Sequence, residues 1–506
     1  MHADHPASPA RTRAETALRA LLLAGSLASL LLFATLLANH LFHPLHLDLM
    51  EGTVLQHFHR ALRGEPIYPA PGPEFVPLAY NVLYYYAAIP LAWLFGSGLE
   101  PLRLLSLLAI AGICMLLYRV AHERSGSRLW AVATVGLFAA AYRAMDAYLD
   151  TAHSDACFLL CALLGTRILQ RAGRARDRVL GVVVLVLGFW FKQHGAWFAI
   201  GGVLWLTWHL GLRAALPYWA LAALLGPGVY LGLGPRLFGS HFLYFTLEVP
   251  GGWSDPSLQG AWRLACHFLG HYPLHALVAL ALLAAGLVRR TARHDVWVVQ
   301  LGSAGLTAVL GTLDAGSANN VYAPLGTFVL LLGTSAFGWL AHRAAVSAHR
   351  RDLLVLALLA YLPLANDPRR LWVPSGAAFR AKKELVAFLN GLDGPVFAPS
   401  LGYLPGCALR PPLHWVALED MVRGPGRDPA HAPVVAELLA EVRAPEGAAY
   451  VLANHPLDGA FGWLGLAPYY ELREDLGDRF RALDLLPKRA AHGWPRYLYR
   501  HRGRKG

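Results

Sequence analysis

Charge is what this 506-residue chain has least of: Asp, Glu, Lys and Arg together make up 15%, against 56% hydrophobic residues and a mean hydropathy of +0.40. Those values exclude a string of soluble domains. They suit a chain that spends most of its length in lipid, where each charge near the bilayer centre costs several kcal/mol. Cysteine is also scarce, and the five present form no CxxC and no zinc-type spacing. Cys114, Cys157 and Cys161 fall in apolar runs; Cys266 and Cys407 fall outside them, where a disulfide between the two is conceivable. No HExxH pair, no repeat period and no long low-complexity tract is present. Metalloprotease and solenoid readings are thereby set aside.

The net charge of +12 would suit a nucleic-acid binder if the basic residues formed one patch. They cluster instead in short gaps between apolar runs, at 119–128, 167–178, 289–294 and 342–351. This is the positive-inside pattern of a membrane protein, with no nucleic-acid partner. The gaps 40–76, 146–155, 191–195, 235–270 and 313–320 are poor in Lys and Arg for their length and should face the opposite side.

Apolar segments lie near 17–39, 77–96, 101–119, 128–146, 153–170, 178–192, 195–213, 214–234, 271–288, 295–314, 320–341 and 352–365. The reading is an α-helical polytopic membrane protein with about 11–13 transmembrane segments. Arg11, Arg13 and Arg19 precede an apolar run from Ala20 to Leu37, which reads as a retained signal anchor with its N-terminus in the cytoplasm. Charge alternation requires 77–119 to cross an odd number of times, so either the aromatic stretch 77–95 is re-entrant or the charge rule fails at Arg119. From 366 to 506 no membrane-length run remains. KKELVAFLNGLDGPVFAPS reads as a helix ending at Gly391 and then a strand, and VVAELLAEVRAPEGAAYVLAN repeats that order. A membrane domain over 1–365 followed by a small extramembrane α/β domain over 366–506 is expected.

Three polar groups stand at segment ends on one expected side. The first is HLDLMEGTVLQHFHR, in the outer loop 40–76. Its Asp48 and Glu51 would share one face of a helix lying on the membrane, with Val54, Leu55, Phe58 and Leu62 on the apolar side. Acids at a helix start also serve the helix dipole without any catalytic role. His46, His57 and His59 would not share a face and read as ordinary interfacial residues.

The second group is YRAMDAYLDTAHSDACFLL, with Asp155 heading an apolar segment. Asp155 with His153 could hold a divalent cation, or again serve a helix dipole. The third is FWFKQHGAWF, where Lys192 must either snorkel or meet an anion, with Gln193 and His194 beside it. Asn319 and Asn320 in LDAGSANNVY would bind sugar hydroxyls or cap the following helix. Arg236, His241 and Glu248 are further candidates in the loop 235–270.

The order of these features carries a resemblance. An anchor helix, an outer loop with Asp and Glu, a proline-rich GEPIYPAPG, an aromatic YNVLYYY, FGSGLEPLRLLSLL and a later acid at a segment start follow one another. This resembles the GT-C superfamily of membrane glycosyltransferases, near protein O-mannosyltransferases, lipid A aminoarabinose transferase and the RgtA-like group. The resemblance covers residues 15 to about 345. It implies an inverting sugar transferase with a polyprenyl-phosphate-linked sugar donor and a lipid, glycan or protein acceptor. The site would lie on the outer face of a bacterial inner membrane, with the C-terminal domain on that side. By position, Asp48 would be the catalytic base with Glu51 its companion or substitute, Asp155 would orient the acceptor or support the base, and Lys192 would be the phosphate ligand. A single displacement of a phosphate leaving group needs one base and a cation, and no second carboxylic acid.

The alternatives are a polytopic transporter or lipid flippase, and a catalytically silent scaffold. A transporter places ionisable residues near the midplane and often shows repeated halves. Here the ionisable groups fall at segment ends, and no half-repeat is visible.

Overall fold

The structure, a computed structural model, describes residues 13–288, 295–342, 348–373, 375–407, 409–426, 430–484 and 493–504. The helices in chain order are α1 (Arg13–Leu41), α2 (Glu51–Leu62), α3 (Leu83–Phe95), α4 (Glu100–Ser125), α5 (Arg128–Ala140), α6 (Asp155–Arg171), α7 (Ala175–Phe191), α8 (Gly195–Leu210), α9 (Leu212–Ala223), α10 (Val229–Gly232), α11 (Gly234–Phe238), α12 (Val249–Gly251), α13 (Leu258–His271), α14 (Pro273–Val288), α15 (Val296–Leu313), α16 (Ala323–His342), α17 (Ala348–Ala365), α18 (Ser375–Asn390), α19 (Trp415–Val422) and α20 (His431–Arg443).

Each of the twelve expected apolar segments coincides with a helix. Five spans are individually long and apolar enough to cross a membrane: Arg13–Leu41, Glu100–Ser125, Leu212–Gly232, Val296–Leu313 and Asn319–Gly338. Large apolar side chains such as Leu31, Trp93 and Leu224 remain exposed around the helical body, as a lipid-facing belt requires. The loop expected over 235–270 is largely helical instead. Ser257 caps α13 by accepting from Gly260 N, and α13 meets α14 at a 115° bend.

The gaps sort into two ends of the helical body. At one end Arg124, near the end of α4, pairs with Asp295 ahead of α15 at 2.8 Å, and Arg167 and Arg171 of α6 both reach Glu123. The basic gaps 119–128 and 167–178 therefore lie together. The gap 289–294 and residues 343–347 of the last gap fall outside the described residues. At the opposite end the acid-bearing turns meet, as set out below. Both ends of α3 are tied to that second end. Asn81, just before it, donates to Phe189 O at 2.5 Å, and Ser97 O, just after it, accepts from His59 at 2.6 Å. Only α4 thus runs the length of the body between 77 and 125.

Beyond α17 the chain forms a four-stranded sheet of β1 (Val396–Phe397), β2 (Tyr450–Ala453), β3 (Tyr470–Asp475) and β4 (Tyr497–His501), in the order β1-β2-β4-β3. β1 and β2 run parallel, with Val396 opposite Tyr450, and the chain between them passes through α19 and α20. Helix α18 ends at Asn390, one residue before Gly391, and α20 leads into β2, as the repeated helix-then-strand pattern required. β3 and β4 were not legible in advance. In β3 only Tyr470 is buried, so it lacks the alternation that marks a half-buried strand.

Candidate active site

The first outer loop does not lie on a membrane surface. Glu51, Thr53, Val54, Leu55, Gln56, His57 and Phe58 are all buried, so α2 packs inside protein on both its apolar and its polar sides. Gly52 is required there, because a Cβ would fall 2.6 Å from both the His46 ring and Leu401 O. His57 stacks on Tyr85, and its neutral ring donates from Nδ1 to Thr53 O and accepts at Nε2 from Leu78 N. His46 and His57 are thus interior residues, a correction to the interfacial reading.

Asp48 and Glu51 do not share a helical face either, since α2 begins at Glu51 and Asp48 precedes it. Their side chains go to different partners. Glu51 accepts from Arg103 at 2.6 Å and from Leu47 N at 2.6 Å on one oxygen, and from Ala152 N at 2.7 Å and Arg103 Nε at 3.1 Å on the other. Arg103, fully buried in α4, also donates to His43 O and Leu45 O at 2.6 Å each. Burial alone would push the Glu51 carboxyl up, but the Arg103 charge and these hydrogen bonds outweigh it and hold the group at about 2. Glu51 is therefore a fixed anion that ties loop 42–50, α4 and the turn before α6 together. Asp48 faces elsewhere: its carboxylate accepts from Met50 N at 3.3 Å and is hydrogen-bonded to the Tyr148 hydroxyl.

Lys192 comes from the turn between α7 and α8. Gly195 makes that turn tight, because a Cβ there would fall 2.2 Å from the Gly188 backbone. The turn leaves Lys192 extended at the end of α7, with its side chain buried and Nζ 2.8 Å from Asp155 Oδ1. The residue does not snorkel outward. Asp155 is the first residue of α6; its second oxygen is bonded to His153 Nδ1, and Asn320 Nδ2 approaches its first at 3.4 Å. The turn ahead of α6 is strained, with Asp146 and Ala147 at φ of 62° and 52°, and Asp146 accepts from Asn319 N at 2.8 Å. Asn319 and Asn320 are the first two residues of a 3-10 turn, Asn319–Tyr322, that runs into α16 and has Ala318 as its N-cap. Gln193 donates to Ala79 O at 2.8 Å, joining the α7–α8 turn to the segment before α3.

These groups meet at a cavity of about 320 Å³. Lys192, His194, Asn320, Tyr80, Tyr148, Leu49 and Met50 line one part of it. Asp48 sits just behind, next to Leu49 and joined to the lining through Tyr148. The rest of the wall comes from residues the sequence reading did not single out: Asp314, Trp253, Trp415, Glu419, Asp420 and Arg423. The guanidinium of Arg423 lies 4.0 Å over the Trp253 ring and 3.1 Å from Asp420, while Trp253 Nε1 donates to Asp420 O at 2.8 Å. The segment around α19 thus closes the cavity over the ends of the membrane helices. Burial pushes the Asp420 carboxyl up to about 6, with Arg423 opposing. A signal for Arg103 was present, since an Arg inside an apolar run is costly without a partner. The α19 residues carried no such signal.

Arg236, His241 and Glu248 do not join the cavity, and Arg236 and Glu248 are exposed. His153 and Asp155 bond to each other, and among the described residues no three His, Cys, Asp or Glu side chains converge as a metal site. All five cysteines are free.

No protein-family model matches this chain, and no curated protein matches its sequence. Solved structures do. ArnT from Cupriavidus metallidurans in the apo state is similar at a TM-score of 0.54 and 12% identity, over 96% of this chain and 98% of that one. The same protein bound to undecaprenyl phosphate is similar at a TM-score of 0.50 and 11% identity, over 94% and 97%. At that identity the likeness shows the fold. The chain is a polytopic helical membrane protein and shares its fold with these two structures.

Proposed function

We propose that this chain is an inverting glycosyltransferase that moves a sugar from a polyprenyl-phosphate donor to an acceptor hydroxyl. The reaction would take place on the outer face of a bacterial inner membrane. One observation carries this reading above the rest. A buried Lys192–Asp155 pair, Asn320 and the Tyr148–Asp48 pair surround one cavity at the end of the helical body opposite the basic gaps. A transporter would place such groups at mid-depth. The chain also shares its fold with a protein whose structure holds undecaprenyl phosphate.

In this reading Lys192 receives the donor phosphate and Asp155 holds the ammonium in place before the donor arrives. The acceptor oxygen attacks the anomeric carbon as the bond from that carbon to the phosphate oxygen breaks. The acceptor's proton passes through Tyr148 to Asp48, and the phosphate leaves with the bonding electrons onto Lys192. Glu51 is a positioning residue, because both its oxygens are already engaged. His194, Asn319, Asn320 and Gln193 would orient the sugar and the turns that carry it. The region from 366 onward would be an outer-face domain whose α19 segment closes the site.

Initial-rate kinetics of Lys192→Ala test the phosphate assignment. The donor KM should rise about tenfold or more while the acceptor KM moves little. A variant that loses acceptor affinity instead would remove Lys192 from the phosphate role.

A further inference from the structure

The wall that α19 lends to the cavity contains polar atoms that the protein itself leaves unused. Asp420 is 4% exposed, and its Oδ1 lies 3.1 Å from Arg423 Nη2 at an angle that makes no hydrogen bond. The buried Nε–H of Arg423 has no hydrogen-bond partner either. Both residues line the cavity that Lys192 also lines. An unpaired buried acceptor beside an unpaired buried donor is costly unless a ligand supplies the bonds.

The two side chains are fixed in place. Trp253 lies under the Arg423 guanidinium at 4.0 Å and donates from Nε1 to Asp420 O at 2.8 Å. The segment carrying Trp253 is itself tied to the end of α15, where Ala315 N donates to Trp253 O at 2.8 Å and Ser254 pairs with Asp314. Gly424, at a φ of 89°, presses the chain after α19 against that segment, since a Cβ there would fall 2.2 Å from Gly252 O. Asp420 and Arg423 therefore need no ordering when a substrate arrives.

The build of the donor decides what reaches them. In a polyprenyl-phosphate sugar the phosphate separates the sugar from the lipid. With the phosphate at Lys192, at the end of the membrane helices, the sugar extends away from the lipid toward the wall that α19 supplies. Asp314, Glu419 and Asp420 face the cavity there together with Arg423. A carboxylate on the sugar would meet like charges, and an ammonium would meet the guanidinium. Two neighbouring hydroxyls suit the pair, because one can donate to Asp420 Oδ1 while the other accepts from Arg423 Nε.

We infer that Asp420 and Arg423 select the sugar, by binding two neighbouring hydroxyls of an uncharged sugar on the donor. The inference rests on the donor reading above and adds to it the class of sugar and the residues that recognise it.

The test is native mass spectrometry of the full chain in detergent. Its probes are undecaprenyl phosphate alone and undecaprenyl phosphate carrying glucose, mannose, galactose, glucosamine or glucuronate. The tightest of the three neutral donors should bind about tenfold or more above either charged donor. Asp420→Asn and, separately, Arg423→Gln should weaken that neutral donor by about tenfold and undecaprenyl phosphate alone by less than about twofold. The two variants differ in size and charge, so each guards against a packing defect in the other. Tightest binding of a charged donor would overturn the assignment, as would equal changes, or none, in the sugar-bearing and sugarless probes. Lys192→Ala separates the two proposals. If it spares every probe while the α19 variants still split them, the phosphate reading fails and the sugar wall stands. If it weakens every probe while the α19 variants split nothing, the sugar wall alone fails.

Discussion

Lys192 Nζ lies 2.8 Å from Asp155 Oδ1 although 37 residues separate them in sequence, and both side chains are buried. Neither charge is tolerable alone at that depth, so each accounts for the other.

Removing one partner is therefore more damaging than removing both. Asp155→Asn should lower the unfolding free energy by about 3–5 kcal/mol, because it strands a buried ammonium. The double variant Asp155→Asn, Lys192→Met should recover most of that loss while binding no donor. Thermal unfolding of the purified variants measures this. A double variant as unstable as the single one would mean that the pair is not an isolated ionic unit.

The Glu51–Arg103 pair makes a different prediction, because the guanidinium also holds two loop carbonyls at 2.6 Å. Arg103→Lys keeps the charge but loses the fork, so it should still destabilise, by about 2 kcal/mol or more. Transfer activity should fall with it, since loop 42–50 also carries Asp48. Wild-type stability in Arg103→Lys would show that only the charge matters.

Two carboxyls give opposite pH dependences. Glu51 is held at about 2, below its ordinary 4.5, so its contribution is present above 4.5 and is lost as pH falls toward 2. Asp420 is raised to about 6 from 3.8, so its contribution is present below 3.8 and is lost as pH rises through 6. Between about pH 4 and 6 the melting temperature of Asp420→Asn should therefore be flatter than that of the parent chain. Parallel curves across that window would contradict a buried, proton-binding Asp420.

Much of this fold was legible because lipid imposes simple rules. Hydropathy located all twelve apolar segments, and Lys and Arg set the gaps 119–128 and 167–178 apart from the acid-bearing turns before any contact was known. Lys192 and Asp155 stood out because a charge at an apolar segment end needs a reason. The relation between Asp48 and Glu51 was misread, because a three-residue spacing implies a shared face only if the helix includes both residues, and α2 starts at Glu51. The α19 wall was not legible at all. Glu419, Asp420 and Arg423 look like any polar helix face until the chain folds back over Trp253. Long-range closure of that kind leaves no local pattern to read.

The measurement that bears most directly on the account is sugar transfer by Asp48→Asn, assayed with a panel of polyprenyl-phosphate-linked sugars. Undecaprenyl phosphate binding is measured in parallel on the same protein. The account predicts a fall in kcat of about a hundredfold or more with donor binding unchanged, and a smaller fall for Tyr148→Phe. Full transfer activity in Asp48→Asn would contradict it.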